Sequence, residues 1–218
     1  MAVIAEVKVR SPKEGDLLAG RDPRALARAY AAAGAAGVSV VTEERDFGGS
    51  VDIIRAVRSV TDLPILRKNF PASEADLADL LDAGAQAQLL TVRMLARDQF
   101  LELHAAALAM GLETLVEVHD ASDVEFLREH RVAPSLIGVN NRDIAIGETD
   151  DGDVSRTERF MGALPYPVPR ISESAISGPD DARRARDAGA DAVLVGTAIL
   201  RAPDPGEMVR ALVAVGDA

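Results

Sequence analysis

Apolar positions in this chain follow two alternating rhythms. Short runs rich in Val, Ile and Leu have the length and β-branched character of buried strands. Between them lie longer stretches in which Ala and Leu recur at helical spacing among Arg, Asp and Glu. The first rhythm predicts strands over residues 3–8, 37–42, 64–68, 87–92, 113–118, 136–140, 168–172 and 192–195. The second predicts helices over 22–33, 51–60, 73–83, 96–110, 122–130, near 155–162, and over 179–188 and 204–215. Asp22-Pro23 opens the first helix with a capping side chain and a Pro in the first turn. Ala33-Gly34-Ala35, Ala83-Gly84-Ala85 and Ala188-Gly189-Ala190 read as helix-to-strand corners, where Gly takes a left-handed cap.

Strict alternation implies a parallel sheet, and eight units in about 200 residues imply a closed (β/α)8 barrel more than an open doubly wound sheet. The expected architecture is a single TIM barrel, one catalytic domain over residues 1–218. No low-complexity linker divides it. Loop insertions are expected at 10–21, after strand one, and at 142–153, after strand six. A short helix can start at Thr197.

Composition adds exclusions. The chain has 218 residues, 48% of them hydrophobic, enough for a barrel of this kind. It has no Cys, which removes disulfides, thiolate nucleophiles and Cys-ligated metals. No stretch reaches about 18 apolar residues, and no basic start leads into an apolar run, so neither a membrane span nor a signal peptide is expected. The expectation is a cytoplasmic protein, monomeric or weakly dimeric. A net charge of −11 argues against nucleic acid as a partner. It fits either a salty cytoplasm or ordinary solubility. An anionic ligand would need a local positive pocket working against that field. Aromatics at 3% argue against stacking platforms for sugars or single strands.

The chemistry gathers where the strands should end. Glu6 and Lys8 lie two apart and so share a face, and Lys68 ends strand three. Strand five ends with Glu117 and His119. Strand six ends with Asn140, Asn141 and Arg142. Strand seven ends with Glu173 and Ser174, and strand eight with Gly196 and Thr197. Leu66 shares a face with Lys68, Leu115 with Glu117, and Ile171 with Glu173. If those apolar partners fill the barrel, the charges stand over its mouth, at the end where such barrels carry their sites. A single member of this set is as easily a solvated strand end or a structural ion pair; the whole set is not. The small residues and hydroxyls of 173–178 and 195–198 read as a phosphate cradle, with two tight turns as the plainer reading.

In their shared order, these segments resemble the indole-3-glycerol phosphate synthase family: Ile4-Ala5-Glu6-Val7-Lys8 with Ser11-Pro12, Val40-Val41-Thr42-Glu43 with Phe47-Gly48-Gly49-Ser50, Leu66-Arg67-Lys68-Asn69-Phe70, Leu115-Val116-Glu117-Val118-His119, Ile137 through Asp143, Ser172-Glu173-Ser174 and Val195-Gly196. The resemblance implies a ring closure on 1-(2-carboxyphenylamino)-1-deoxyribulose 5-phosphate, with loss of carbon dioxide and water and with no cofactor or metal. It implies Lys68 as the acid, Lys8 as a substrate anchor and second proton donor, Glu117 as the base, and Glu6 and Glu173 as orienting carboxylates. Asn140 would bind a hydroxyl, Arg142 the anthranilate carboxylate, Ser174, Gly196 and Thr197 the phosphate, and Phe47 the ring; Ser11 belongs to the substrate-binding set. The residues alone leave open which lysine acts in which step.

The chain departs from the family pattern in places. Asn69 replaces an Asp that would partner Lys68, Ala175 replaces a Gly, and Thr197 replaces a Ser. The family's helical extension before strand one has no counterpart, since strand one is expected to start at Val3. Two other functions stay open on residues alone. One is a class I aldolase using Lys8 or Lys68 as a Schiff base, separable by borohydride trapping. The other is a phosphate-binding barrel that has lost turnover, for which Asn69 and the missing extension are the best support. A retaining glycosidase built on Glu117 and Glu173 is opposed by the scarce aromatics and the phosphate cradle.

Overall fold

A computed structural model describes residues 1–142 and 152–217. Its strands are β1 (Ala2–Val7), β2 (Gly37–Val41), β3 (Ile65–Lys68), β4 (Ala87–Thr91), β5 (Glu113–Val118), β6 (Leu136–Asn140), β7 (Arg170–Glu173) and β8 (Ala192–Val195). They pair in parallel in chain order, and β8 closes on β1. The helices are α1 (Pro23–Ala32), α2 (Val51–Arg58), α3 (Glu74–Ala83), α4 (Arg97–Ala109), α5 (Ala121–Glu129), α6 (Ser155–Phe160), α7 (Pro179–Asp187), α8 (Thr197–Arg201) and α9 (Pro205–Val213). This is a single (β/α)8 barrel. Asp22 caps α1 by accepting from the Arg24 N–H at 2.9 Å, and Gly34, Gly84 and Gly189 take the left-handed corners.

Differences from the expected elements have local causes. β1 stops at Val7, so Lys8 lies one residue past the strand. β7 starts at Arg170 rather than 168, because Pro169 has no N–H to give the ladder. The helix near 155–162 gives way at Met161 to a 3-10 turn. The 10–21 insertion holds a small hairpin, Arg10–Ser11 against Gly15–Asp16, whose two-residue strands are too short for alternation to reveal. Most of the 142–153 insertion lies outside the described residues.

Two apolar layers hold the barrel. The larger lies between strands and helices and includes Val3, Val38, Val116, Phe100 and Leu212. The smaller fills the barrel itself: Leu66, Ala87, Leu89, Leu115, Ile171, Ala192 and Leu194, with Ile4 and Leu136 packed on it. One inward step further along the same strands come Glu6, Lys68, Thr91, Glu117 and Glu173. The period-2 geometry of a strand therefore stacks polar groups on an apolar plug. No helix among the described residues is long and apolar enough to cross a membrane.

Candidate active site

Glu6 joins the two lysines. Its Oε1 lies 2.9 Å from Lys8 Nζ, and its Oε2 lies 3.9 Å from Lys68 Nζ. Lys68 Nζ also lies 3.7 Å from Glu173 Oε2. Glu6 and Glu173 are buried, and the Lys68 side chain is 15% exposed. Lys68 thus stands between two carboxylates without an Asp at position 69.

Two glycines make room for these acids. A Cβ at Gly138 would lie 2.0 Å from Glu173 Oε1, and one at Gly196 would lie 2.3 Å from Glu6 Oε1. A side chain at either position would displace a buried carboxylate. Tyr30 on α1 donates to the Glu6 carbonyl at 3.2 Å, and burial raises its hydroxyl pKa well above the ordinary value.

Glu117 stands on the other side of the mouth. Its Oε1 accepts from Thr91 Oγ1 and its Oε2 from Asn140 Nδ2, each at 3.1 Å. His119 Nε2 is 3.7 Å from Oε1. Asn140 Oδ1 accepts from the Arg142 N–H at 3.0 Å, so one amide sets both the carboxylate and the chain leaving β6. Asn141 is structural: its amide donates to Ser172 Oγ and to the carbonyls of Glu173 and Ser174, and its oxygen accepts from Thr157.

These groups border two lobes. The larger, about 430 Å³, is lined by Glu6, Lys8, Lys68, Arg142, Ser174, Gly196 and Thr197. Arg201 and Gly152 join its wall. The smaller is a slot of about 30 Å³ walled by Phe47, Phe70, Leu89 and Thr91, with Glu117 and Lys68 at its edge. That is room for roughly one water, so a benzene ring enters only if the walls move. Phe47 and Phe70 stand outside the strands, on the segments that follow β2 and β3.

The rim is tied down by identifiable contacts. Glu43 accepts from the N–H groups of Arg45, Asp46 and Phe47 at 2.9, 2.8 and 3.0 Å, which shapes the turn carrying Phe47. Burial pushes the Glu43 pKa up, but these N–H bonds outweigh it and the net shift is downward. Arg10 reaches the Arg45 carbonyl at 2.8 Å, and Arg201 meets Glu14 at 2.8 Å. The hairpin is thereby fastened on both sides. Ser11 stays within it, accepting from the Glu14 N–H at 3.0 Å, and lines neither lobe.

Every other residue expected at the site borders one of the lobes or touches a residue that does. Thr91, Leu89, Phe70, Glu43 and Arg201 were not expected there. Leu89 and Thr91 repeat the Leu115 and Glu117 pair one strand over, so the parity argument applied to strand four would have found them.

The family model described as indole-3-glycerol phosphate synthase matches residues 1–212. Indole-3-glycerol phosphate synthase of Thermococcus kodakarensis is 45% identical over 98% of this chain and 92% of its own length. The Pyrococcus furiosus protein of that name is 43% identical over 97% and 91%, and that of Nocardioides sp. 44% over 98% and 80%. Among solved structures, thiamine phosphate pyrophosphorylase from Pyrococcus furiosus superposes with a TM-score of 0.70 at 13% identity, covering 99% of this chain and 95% of that one. At that identity the likeness is one of fold.

Proposed function

The chain belongs to the indole-3-glycerol phosphate synthase family, and we propose that it closes the indole ring of 1-(2-carboxyphenylamino)-1-deoxyribulose 5-phosphate, a carboxy-lyase step of tryptophan biosynthesis. The observation that carries this reading is the convergence of Lys8, Lys68 and Glu6 on a lobe of about 430 Å³ that Ser174, Gly196 and Thr197 also line. An apolar slot with Glu117 in its lining adjoins it, sharing Glu6, Lys8 and Lys68.

The assignment of roles follows the chemistry. Phosphate lies against Ser174, Gly196 and Thr197, and the ring lies toward Phe47. The Arg142 guanidinium forks onto the ring carboxylate. Lys68 protonates the ribulose carbonyl as the carboxylate-bearing ring carbon attacks it, forming the new C–C bond and leaving a hydroxyl. The C–COO⁻ bond then breaks; its electron pair restores the arene, and carbon dioxide departs. Lys8 protonates the hydroxyl, which leaves as water, while Glu117 takes a proton from the former C1 methylene. Lys68 and Lys8 give up two protons and Glu117 takes one, so each turnover draws one proton from solvent, which balances the carboxylate lost as neutral carbon dioxide. Glu6 and Glu173 keep the ammonium groups aimed, and Asn140 contacts the departing hydroxyl.

The test mixes purified protein with this substrate and follows indole fluorescence. Product formation is expected. Tight substrate binding with no indole at high enzyme concentration would leave a binding barrel instead. Lys68→Met is expected to abolish turnover while leaving substrate affinity within about tenfold; retained turnover would remove Lys68 as the acid.

A further inference from the structure

Thr91 ends β4 directly beside Glu117 in the ladder to β5. It is 3% exposed, and its Oγ1 lies 3.1 Å from Glu117 Oε1. A hydroxyl has one proton, and an ionised carboxylate accepts only, so the proton points to Glu117. The position lies in the apolar slot beside Leu89, Phe47 and Phe70. A residue selected for packing alone would need no hydroxyl there, since Val has the same shape without the cost of burying a polar atom. Asn140 reaches the second oxygen from β6 at 3.1 Å. The carboxylate is thus gripped from both neighbouring strands, which fixes its plane.

We propose that Thr91 is a positioning residue for Glu117, holding the carboxylate through Oε1 so that Oε2, shared with Asn140, faces the bound substrate. The inference rests on the reading of Glu117 as the base. Other charged groups face this carboxylate as well. Lys8, Lys68, Glu6 and Glu43 border the slot, and Glu173 lies beyond Asn140, its partner in register. His119 follows β5, with Asp123 of α5 at 3.8 Å from its Nδ1. Arg93 reaches Asp123 at 3.1 Å. None of these changes in a Thr91 variant, so the hydroxyl can be isolated.

The experiment compares Thr91→Val with Thr91→Ser across pH. A donor to the charged form favours that form, so its loss makes the carboxylate hold its proton to higher pH. Thr91→Val is expected to lower kcat by about tenfold with KM within about twofold, and to move the acidic limb of kcat upward. Thr91→Ser should retain rate and limb, and Thr91→Ala should share the limb shift of the Val variant. A Val variant with unchanged rate and limb, or a Ser variant as impaired as Val, overturns the proposal and leaves a packing role. Glu117→Gln separates the two levels. Near-native turnover in it removes the base assignment and this inference together, whereas an inactive Glu117→Gln beside an unaltered Thr91→Val removes only the role of Thr91.

Discussion

Ala175 sits in the wall of the larger lobe with φ 54°, directly after Ser174 at φ 64°. Two consecutive L residues in the left-handed region are costly, at about 1–2 kcal/mol each. Gly at 175 would relieve that strain but would loosen the unfolded chain by about 0.4–1 kcal/mol. The strain term is the larger, so Ala175→Gly is expected to stabilise the protein by about 0.5–1 kcal/mol. For a chain of this size that raises the calorimetric Tm by about 1–4 °C. A lower Tm would mean that the Ala175 methyl makes packing contacts worth more than the strain. The sequence marked position 175 as unusual through the resemblance, but only the backbone shows that the cost there is conformational. Asn69 ran the other way. Its departure from the family left Lys68 short of an acid on paper, yet Glu6 and Glu173 reach across from β1 and β7 to within 4 Å. Those are contacts between strands far apart in the chain, which no local pattern encodes.

At the scale of elements, the ends of the strands follow from alternation and the starts of the helices follow from caps. Asp120 begins α5 by accepting from the N–H groups of Ser122 and Asp123 at 2.9 and 3.3 Å, and Arg93 meets its other oxygen at 2.6 Å. Burial pushes its pKa upward, but the Ser122 hydroxyl, the Arg93 guanidinium and the Asp123 N–H outweigh this, and the group ionises at about 2 rather than 3.8. A carboxyl with a depressed folded pKa contributes stability above its unfolded pKa and loses it as pH falls through the folded value. The window here is therefore about pH 4 down to about pH 2. Asn at this position keeps the oxygen that accepts from the helix N–H groups and gives up only the charge. Asp120→Asn is accordingly expected to show a shallower fall of Tm across that window than the native chain. Identical slopes would show that the Arg93 contact adds nothing in solvent, as is common for half-exposed pairs. The sequence reading started this helix at Ser122, one residue late, because it assigned no cap there, and Asp120 caps it from two residues earlier. The grip of Thr91 escaped it for a different reason. Thr is an ordinary strand former, and its tie to Glu117 appears only once β4 and β5 are set in register.

On the scale of the whole molecule, two fields compete for an anionic substrate. The chain carries a net charge of −11. The lobe offers Lys8, Lys68, Arg142 and Arg201, opposed by Glu6, Asp153 and Asp181 in the same wall. The positive excess is thus small and short-ranged, while the chain as a whole is acidic. At moderate salt the fields of exposed charges are largely screened beyond a Debye length of about 10 Å, and at about 0.01 M that length grows to about 30 Å. At low salt an approaching substrate bearing both carboxylate and phosphate therefore meets the repulsion of the whole barrel before it meets the lysines. Raising ionic strength from about 0.01 to 0.15 M screens the far acidic surface more than contacts inside the lobe. The kcat/KM for the native reaction is then expected to rise over that range, mainly through a lower KM. A neutral small molecule bound in the same lobe should show no such rise. A fall in kcat/KM with salt would mean that the local cations dominate the approach, and that the acidic surface lies too far from the mouth to be felt there.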